Sequence, residues 1–383
     1  MLLRGVGGLA TLITLHHARV PTQPKPEHFP RLLVGRHMLQ RLIWTLAVIV
    51  LLASALAAAE KRATPDDPTI VILTAFRTHP IVALGEGQHW NLQGHAYRLS
   101  LIRDPRLPTV INDIVVEFGD ARYQHVMDRY VAGGDVPVDE LRHVWEDTTM
   151  ANTVFDMPIY EELFRTVRDV NRSLPADARL RVLLGDPPID WAKVSSGEEI
   201  LNSMYERNSF AADLVRREVL GKHRRALLLF ADGHFFRKGE ETVPDWMVVK
   251  RKPEEPLVSQ LEKTHPGMIF NIGAPTNADL TRFQADVANW RVPSIALLDG
   301  TTLGAAPFRT VYDLNGPEFL NVRMQDQFDA LLYLGPPSSM TLSELPRSRC
   351  ADERYMKMRL ARMALLPWGK YEIDSLNAFC GRH

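Results

Sequence analysis

Four short segments of this sequence pair turn-forming glycines or prolines with side chains that can move protons or hold an ion. They are Gly85-Glu86-Gly87-Gln88-His89, Glu117 ahead of Phe118-Gly119, Gly185-Asp186-Pro187-Pro188, and Ala231-Asp232-Gly233-His234. Glycine permits the tight turns and close backbone approach that bring such groups to one rim. A carboxylate beside an imidazole orients and charges the ring, which suits general base catalysis. The same types also suit a metal: His89, Glu117 and His234 supply two imidazoles and a carboxylate, leaving a position open for water.

Each segment follows a short apolar run. Ile81–Leu84, Asp113–Glu117, Leu180–Leu184 and Ala226–Phe230 read as buried strands, with further strands at Met268–Ile272, Ser294–Leu298 and Ala330–Leu334. Helical patterns lie between them: from Asp67-Pro68 through Arg77, up to Arg103, through Tyr130, over 138–147 and 158–173, and over Glu198–Leu220 as one helix stopped by Gly221. Unbroken apolar strands alternating with helices predict an α/β fold, a largely parallel central sheet flanked by helices on both faces. Ligands of such sheets bind beyond the carboxyl ends of the strands, where all four segments fall.

Plainer roles are open to the same residues. Glu86 suits a helix cap, His89 a structural histidine, Glu117 an ion pair with Arg98 or Arg122, and Asp186 an Asx turn. His95 and His125 fall on helices and read as surface residues, while Trp90, Tyr97 and Trp191 read as core.

The segment from Ile81 to His89 resembles the Gly-Glu-x-x-His motif of the erythromycin esterase family. Arg98 follows Glu86 by twelve residues and Glu117 ends the next strand, both matching that family's pattern. Haem-binding ChaN-like lipoproteins and the TraB/Tiki proteins are similar, and Ala231-Asp232-Gly233-His234 resembles the second histidine motif of the Tiki type. The resemblance covers roughly Thr69 to Arg237. It implies a hydrolase site of Glu86, His89, Arg98, Glu117 and His234, with a divalent metal (Mn, Co or Zn) or haem as the cofactors to consider. Erythromycin esterases resemble Ala-His-Asn-x-His at the second motif, and Ala231 stands where the first of those histidines falls. That makes His89 the preferred base.

The chain has 383 residues, 45% hydrophobic and 24% charged, a globular balance with no internal repeat. From Met38 it runs through Arg41, an apolar stretch from Leu42 to Leu52, and small residues to Ala59, the layout of a secretory signal peptide. An uncleaved anchor is the alternative, and the only membrane association expected. Residues 1–37, basic and proline-containing, read as a disordered extension or a misassigned start. Residues 60–383 read as a single α/β domain with a surface insertion at Lys250–Pro256. Removing residues 1–59 takes away six basic and one acidic residue, leaving 39 Lys+Arg against 45 Asp+Glu, a net charge of −6. An acidic exported protein does not suit nucleic acid or anionic lipid. The two cysteines, Cys350 and Cys380, suit either a disulfide in an oxidising compartment or two separate buried thiols.

These readings point to an exported (periplasmic or extracellular) hydrolase of ester, lactone or amide bonds in a small-molecule or peptide substrate. The alternative is an exported, non-enzymatic haem or metal binder. If the signal is cleaved, N-terminal sequencing of the secreted protein begins near Ala58 or Glu60; a mature chain retaining residues 1–37 contradicts export.

Overall fold

In a computed structural model, residues 61–239, 254–276, 278, 280–312 and 319–382 are described. The signal-like segment and most of the 250–256 insertion lie outside these residues. In chain order the elements are α1 (Pro68–Ala75), β1 (Ile81–Gly85), α2 (Leu92–Arg103), β2 (Asp113–Asp120), α3 (Gln124–Val131), α4 (Val138–Glu146), α5 (Pro158–Arg172) and β3 (Arg181–Asp186). Then come α6 (Gly197–Tyr205), α7 (Arg207–Glu218), β4 (Ala226–Phe230), α8 (Leu257–Thr264), β5 (Ile269–Gly273), α9 (Gln284–Val287) and β6 (Ser294–Leu297). The chain continues through α10 (Phe308–Val311), α11 (Met324–Gln327), β7 (Ala330–Tyr333), α12 (Arg347–Ala351), α13 (Glu353–Met363) and α14 (Gly369–Phe379).

The seven strands form one sheet in the order β3-β2-β4-β1-β5-β7-β6, parallel except for β6 against β7. The expected α/β architecture is what the chain adopts. Alternate residues of each central strand enter different cores. Val82, Leu84, Ile114, Val116, Leu227 and Leu229 pack with α2–α5 and the C-terminal helices. Ile81, Ala83, Val115, Ala226, Leu228 and Phe230 pack with α7 and α8. Burial on both faces explains why the strands read as continuous apolar runs. At the start of α1, Asp67 accepts from the Ile70 N–H at 3.0 Å and Pro68 occupies the first turn, as the Asp-Pro pair predicts.

Two departures from the sequence reading shape the site. The stretch expected to be one helix is two, α6 and α7, separated at Glu206. No glycine or proline marks that break, which places Arg207 at the first turn of α7. In β2 the register against β3 slips: Val116 pairs with Leu184, yet Asp120 pairs with Asp186. Four residues of β2 therefore advance over the length of two in β3. The resulting bulge contains Glu117, the kind of irregularity that re-aims a side chain beside a functional site.

The C-terminal helices are fastened by charge. Arg359, 1% exposed, pairs with buried Asp156, its Nε donating to Oδ2 at 2.7 Å, and the Tyr355 hydroxyl donates to the same carboxylate. Cys350 and Cys380 form a disulfide with Cα atoms 5.3 Å apart, joining α12 to the end of α14. Asp156→Ala leaves a buried guanidinium unpaired and is expected to cost about 3–5 kcal/mol. Urea denaturation measures this, and a loss below about 1 kcal/mol would show that the pair does not hold the helices.

Candidate active site

Glu86 leaves β1 at the rim of the sheet, its N–H donating to the Phe230 carbonyl of β4 at 2.8 Å. The loop that follows is shaped by Asp232. Its Oδ1 accepts from the Gly87 N–H at 3.1 Å, and its Oδ2 from the Ala274 N–H at 3.0 Å and the Tyr312 hydroxyl at 2.7 Å. A methyl group on Gly85 would lie 1.8 Å from Asp232 Oδ1, so only glycine fits there. Gly87 sits at φ +67°, and a Cβ there would meet the Ala274 carbonyl oxygen at 2.2 Å. Burial pushes the Asp232 pKa up to about 6, against the pull of these donors.

Within this loop Glu86 is fully engaged. Its Oε1 accepts from Arg98 and from the Tyr160 hydroxyl, each at 3.3 Å, while Oε2 faces His89 Nδ1 at 3.0 Å. Burial alone would raise its pKa, but Arg98 and His89 outweigh that and hold it below the usual value. Burial likewise opposes the charged form of His89, but Glu117 and Glu86 prevail and raise its pKa above 6.5. His89 keeps 29% of its side chain exposed, with the edge of its ring against Phe155.

Glu117 joins the two halves of the site. Its Oε1 accepts from Arg207 Nη2 at 2.7 Å and faces His234 Nε2 at 3.2 Å, and its Oε2 accepts from the Ala231 N–H at 2.8 Å. His89 Nε2 lies 3.9 Å from the same Oε1. Burial opposes the charge on Glu117, yet His234 and Arg207 drive its pKa well below 4.5. His234 is buried with Nδ1 2.7 Å from Asn208 Oδ1, an oxygen that also accepts from the Leu257 N–H at 3.2 Å. Both of its nitrogens therefore face oxygen.

The structure thus brings Glu86, His89, Arg98, Glu117 and His234 together, but divides their work differently from the plain readings. Glu117 takes Arg207 as its partner, while Arg98 serves Glu86 and Arg122 serves Asp190. Asp186 is a buried acceptor rather than a turn residue. Its Oδ1 takes Arg207 Nε at 3.0 Å and the Thr149 hydroxyl at 2.8 Å, and its Oδ2 the Thr149 N–H at 2.6 Å. Burial pushes its pKa up to about 6 against those partners. His95, expected on the surface, is buried, with Nε2 3.0 Å from Glu162 on α5; burial lowers its pKa. His125 is exposed, as expected, and Tyr97 lies in the core. Sequence reasoning missed Arg207, Asn208, Tyr160 and Asp232. Arg207 and Asn208 lay hidden inside a continuous helical pattern, and only the second motif pointed near Asp232.

Glu86, His89 and Glu117 each offer a ligand atom within 4.8 Å of the others, so Glu86 takes the place expected for His234 in any metal set. That donor set does not suit a divalent cation. Each carboxylate already carries a guanidinium, and every oxygen of both accepts or faces a donor. An added ion would sit beside two fixed positive charges.

No family model matches the sequence, and the search of curated proteins finds no match. Among solved structures the chain is similar to a succinoglycan biosynthesis protein, with 9% identity over 76% of this chain and 97% of that one (TM-score 0.49). It is similar to the erythromycin esterase EreC in its open conformation, with 13% identity over 72% and 94% of the two chains (TM-score 0.48). It is also similar to ChaN of Campylobacter jejuni, solved with cofacial haem, at 13% identity over 56% and 91% (TM-score 0.34). Two of the groups that the sequence motifs resemble are therefore among its structural neighbours. Identities of 9–13% carry no residue roles across.

Arg207→Met strands Glu117 and Asp186 and is expected to cost about 3–5 kcal/mol at pH 7.5. Glu117 is held below its ordinary 4.5, so its contribution is complete above that pH and is lost as pH falls toward the folded value. Asp186, pushed up to about 6, loses its charge first, so the gap between wild type and variant should begin to narrow as pH falls through about 6 and narrow further below pH 4.5 in urea melts; a gap constant from pH 7.5 to 3.5 would contradict this.

Proposed function

We propose that this protein is an exported hydrolase of ester, lactone or amide bonds, with His89 as the base for water and Glu86 as its orienting partner. One observation carries the reading. Of the four ring nitrogens on His89 and His234, three face oxygen acceptors at hydrogen-bond distance; His89 Nε2 does not, among the described residues. It belongs to the more exposed ring, and its 3.9 Å separation from Glu117 Oε1 leaves room for a water bonded to both.

The steps follow from that arrangement. Glu86 fixes Nδ1 as the donor nitrogen, which leaves the Nε2 lone pair to accept a proton from the bridging water. The hydroxide adds to the substrate carbonyl, and the ring returns its proton to the leaving oxygen or nitrogen. Glu86 and Glu117 stabilise the imidazolium formed in between. Arg98 and Arg207 keep the rim from becoming strongly negative as the oxyanion develops. His234 positions Glu117. A mostly apolar cavity of about 460 Å³ is lined by Trp90, Met157, Leu345, Met363 and Phe379, with Glu344 and Glu372 also on its wall. The signal-like pattern of residues 38–59 supports export.

The alternative is a haem binder, in which His89 Nε2 would hold the iron while Nδ1 stays anchored to Glu86. A Soret shift on haem titration that disappears in His89→Ala would favour it.

His89→Ala is expected to lower turnover of an activated ester by about 10²–10⁴-fold, with little loss of stability because the ring is on the rim. His125→Ala changes neither. Since the carboxylates around His89 raise its pKa, the base form becomes dominant at a higher pH than for an ordinary histidine, and kcat/KM rises with pH through that raised pKa. Undiminished activity in His89→Ala would sink the proposal.

A further inference from the structure

At the opposite end of the sheet lies a second cavity, of about 790 Å³. Pro80, Asn112, Arg225 and Met268, which immediately precede β1, β2, β4 and β5, all line it. It therefore sits across the amino ends of four adjacent strands, away from the Glu86–His234 rim. Four arginines (Arg77, Arg216, Arg224 and Arg225) and three histidines line it, and no carboxylate does.

The cationic character is built into the floor. Asp113 is fully buried and carries two arginines. Arg224 donates through Nε to Oδ2 and through Nη2 to Oδ1, both at 2.8 Å; Arg181 donates to the same two oxygens at 2.7 and 3.1 Å. One charge cannot neutralise two. Glu218 is shared between Arg181 and Lys222, and Arg216 is spent on Asp213. Arg77 and Arg225 are exposed and have no side-chain partner among the described residues, and Arg224 Nη1 has none either. Three carboxylates (Asp113, Asp213, Glu218) thus stand against six cations (Arg77, Arg181, Arg216, Lys222, Arg224, Arg225), an excess of three positive charges. His79 Nδ1 lies against local oxygens at 2.9 and 3.3 Å, and His265 Nδ1 at 2.9 Å, so each ring keeps Nε2 for an outside group.

We infer that this cleft is a second binding site, for a multiply charged anion bearing phosphate groups. Guanidinium forks match phosphate oxygens in pairs, and a cavity of this size accepts a ligand of nucleotide dimensions. The phosphates could come from a soluble compound or from a lipid headgroup.

Tripolyphosphate titrated calorimetrically into the full chain tests the shared chemistry, and co-sedimentation with phosphatidylcholine vesicles, with and without phosphatidylglycerol, separates the sources. Saturable tripolyphosphate binding that weakens about tenfold or more in the Arg77→Glu/Arg225→Glu variant establishes a soluble ligand. Co-sedimentation that requires phosphatidylglycerol and is lost in the same variant establishes a headgroup site. Both substitutions are at exposed positions, and an unchanged urea midpoint confirms that the variant is folded. Absence of binding in both assays, or binding that the variant leaves unchanged, overturns the inference.

Discussion

The buried carboxylate of Glu117 is the constraint on which the rest of the site depends. A charge taken out of water costs several kcal/mol unless partners surround it. Here the partners come from three separate elements: Arg207 at the start of α7, the Ala231 N–H after β4, and His234 in the following turn. The bulge in β2 carries Glu117, and the interruption between α6 and α7 places Arg207 at the first turn of α7. Asn208, next to Arg207, is carried to the ring of His234 and fixes its other nitrogen. The carboxylate also reaches His89 across 3.9 Å and helps to raise its pKa.

Two histidines near one carboxylate could have been equivalent, and the surroundings make them different. His234 is enclosed with both nitrogens committed, which makes it a prop for Glu117. His89 is tied at Nδ1 only and stands on a loop whose path is set by Asp232, Gly85 and Gly87. Burial, opposed by charge, separates the carboxyl groups as well. Glu86 and Glu117, each against an arginine and a histidine, lie below the ordinary range, whereas Asp186 and Asp232 are pushed up to about 6. Environments that push titratable groups apart are what acid–base chemistry needs.

The strands were legible because burial on both faces leaves an unbroken apolar run, and the ends of β1 and β4 lead into Glu86, His89 and His234; Glu117, expected to end its strand, lies inside β2, which runs on to Asp120. The pairing of charges was not legible. Arg98 and Arg122 are nearer to Glu117 in sequence, yet Arg207, ninety residues away, is its partner. That choice depends on strand order and on a helix break without a proline or glycine, neither of which leaves a local signal. His95 shows the same limit: a lone histidine on a helix looks alike whether it faces solvent or Glu162. The long C-terminal run of helices offered two cysteines but no pattern to show that Arg359 would be buried against Asp156.

One imidazole, that of His89, stands between two carboxylates at the centre of the site. Histidine ring NMR across pH 4–9, on the wild type and on Glu117→Gln, tests this arrangement without any substrate. His89 should titrate above 6.5 in the wild type, and its pKa should fall in the variant, where the Glu117 charge is gone. A His89 that titrates at or below 6.5 and does not respond to Glu117→Gln would contradict the account.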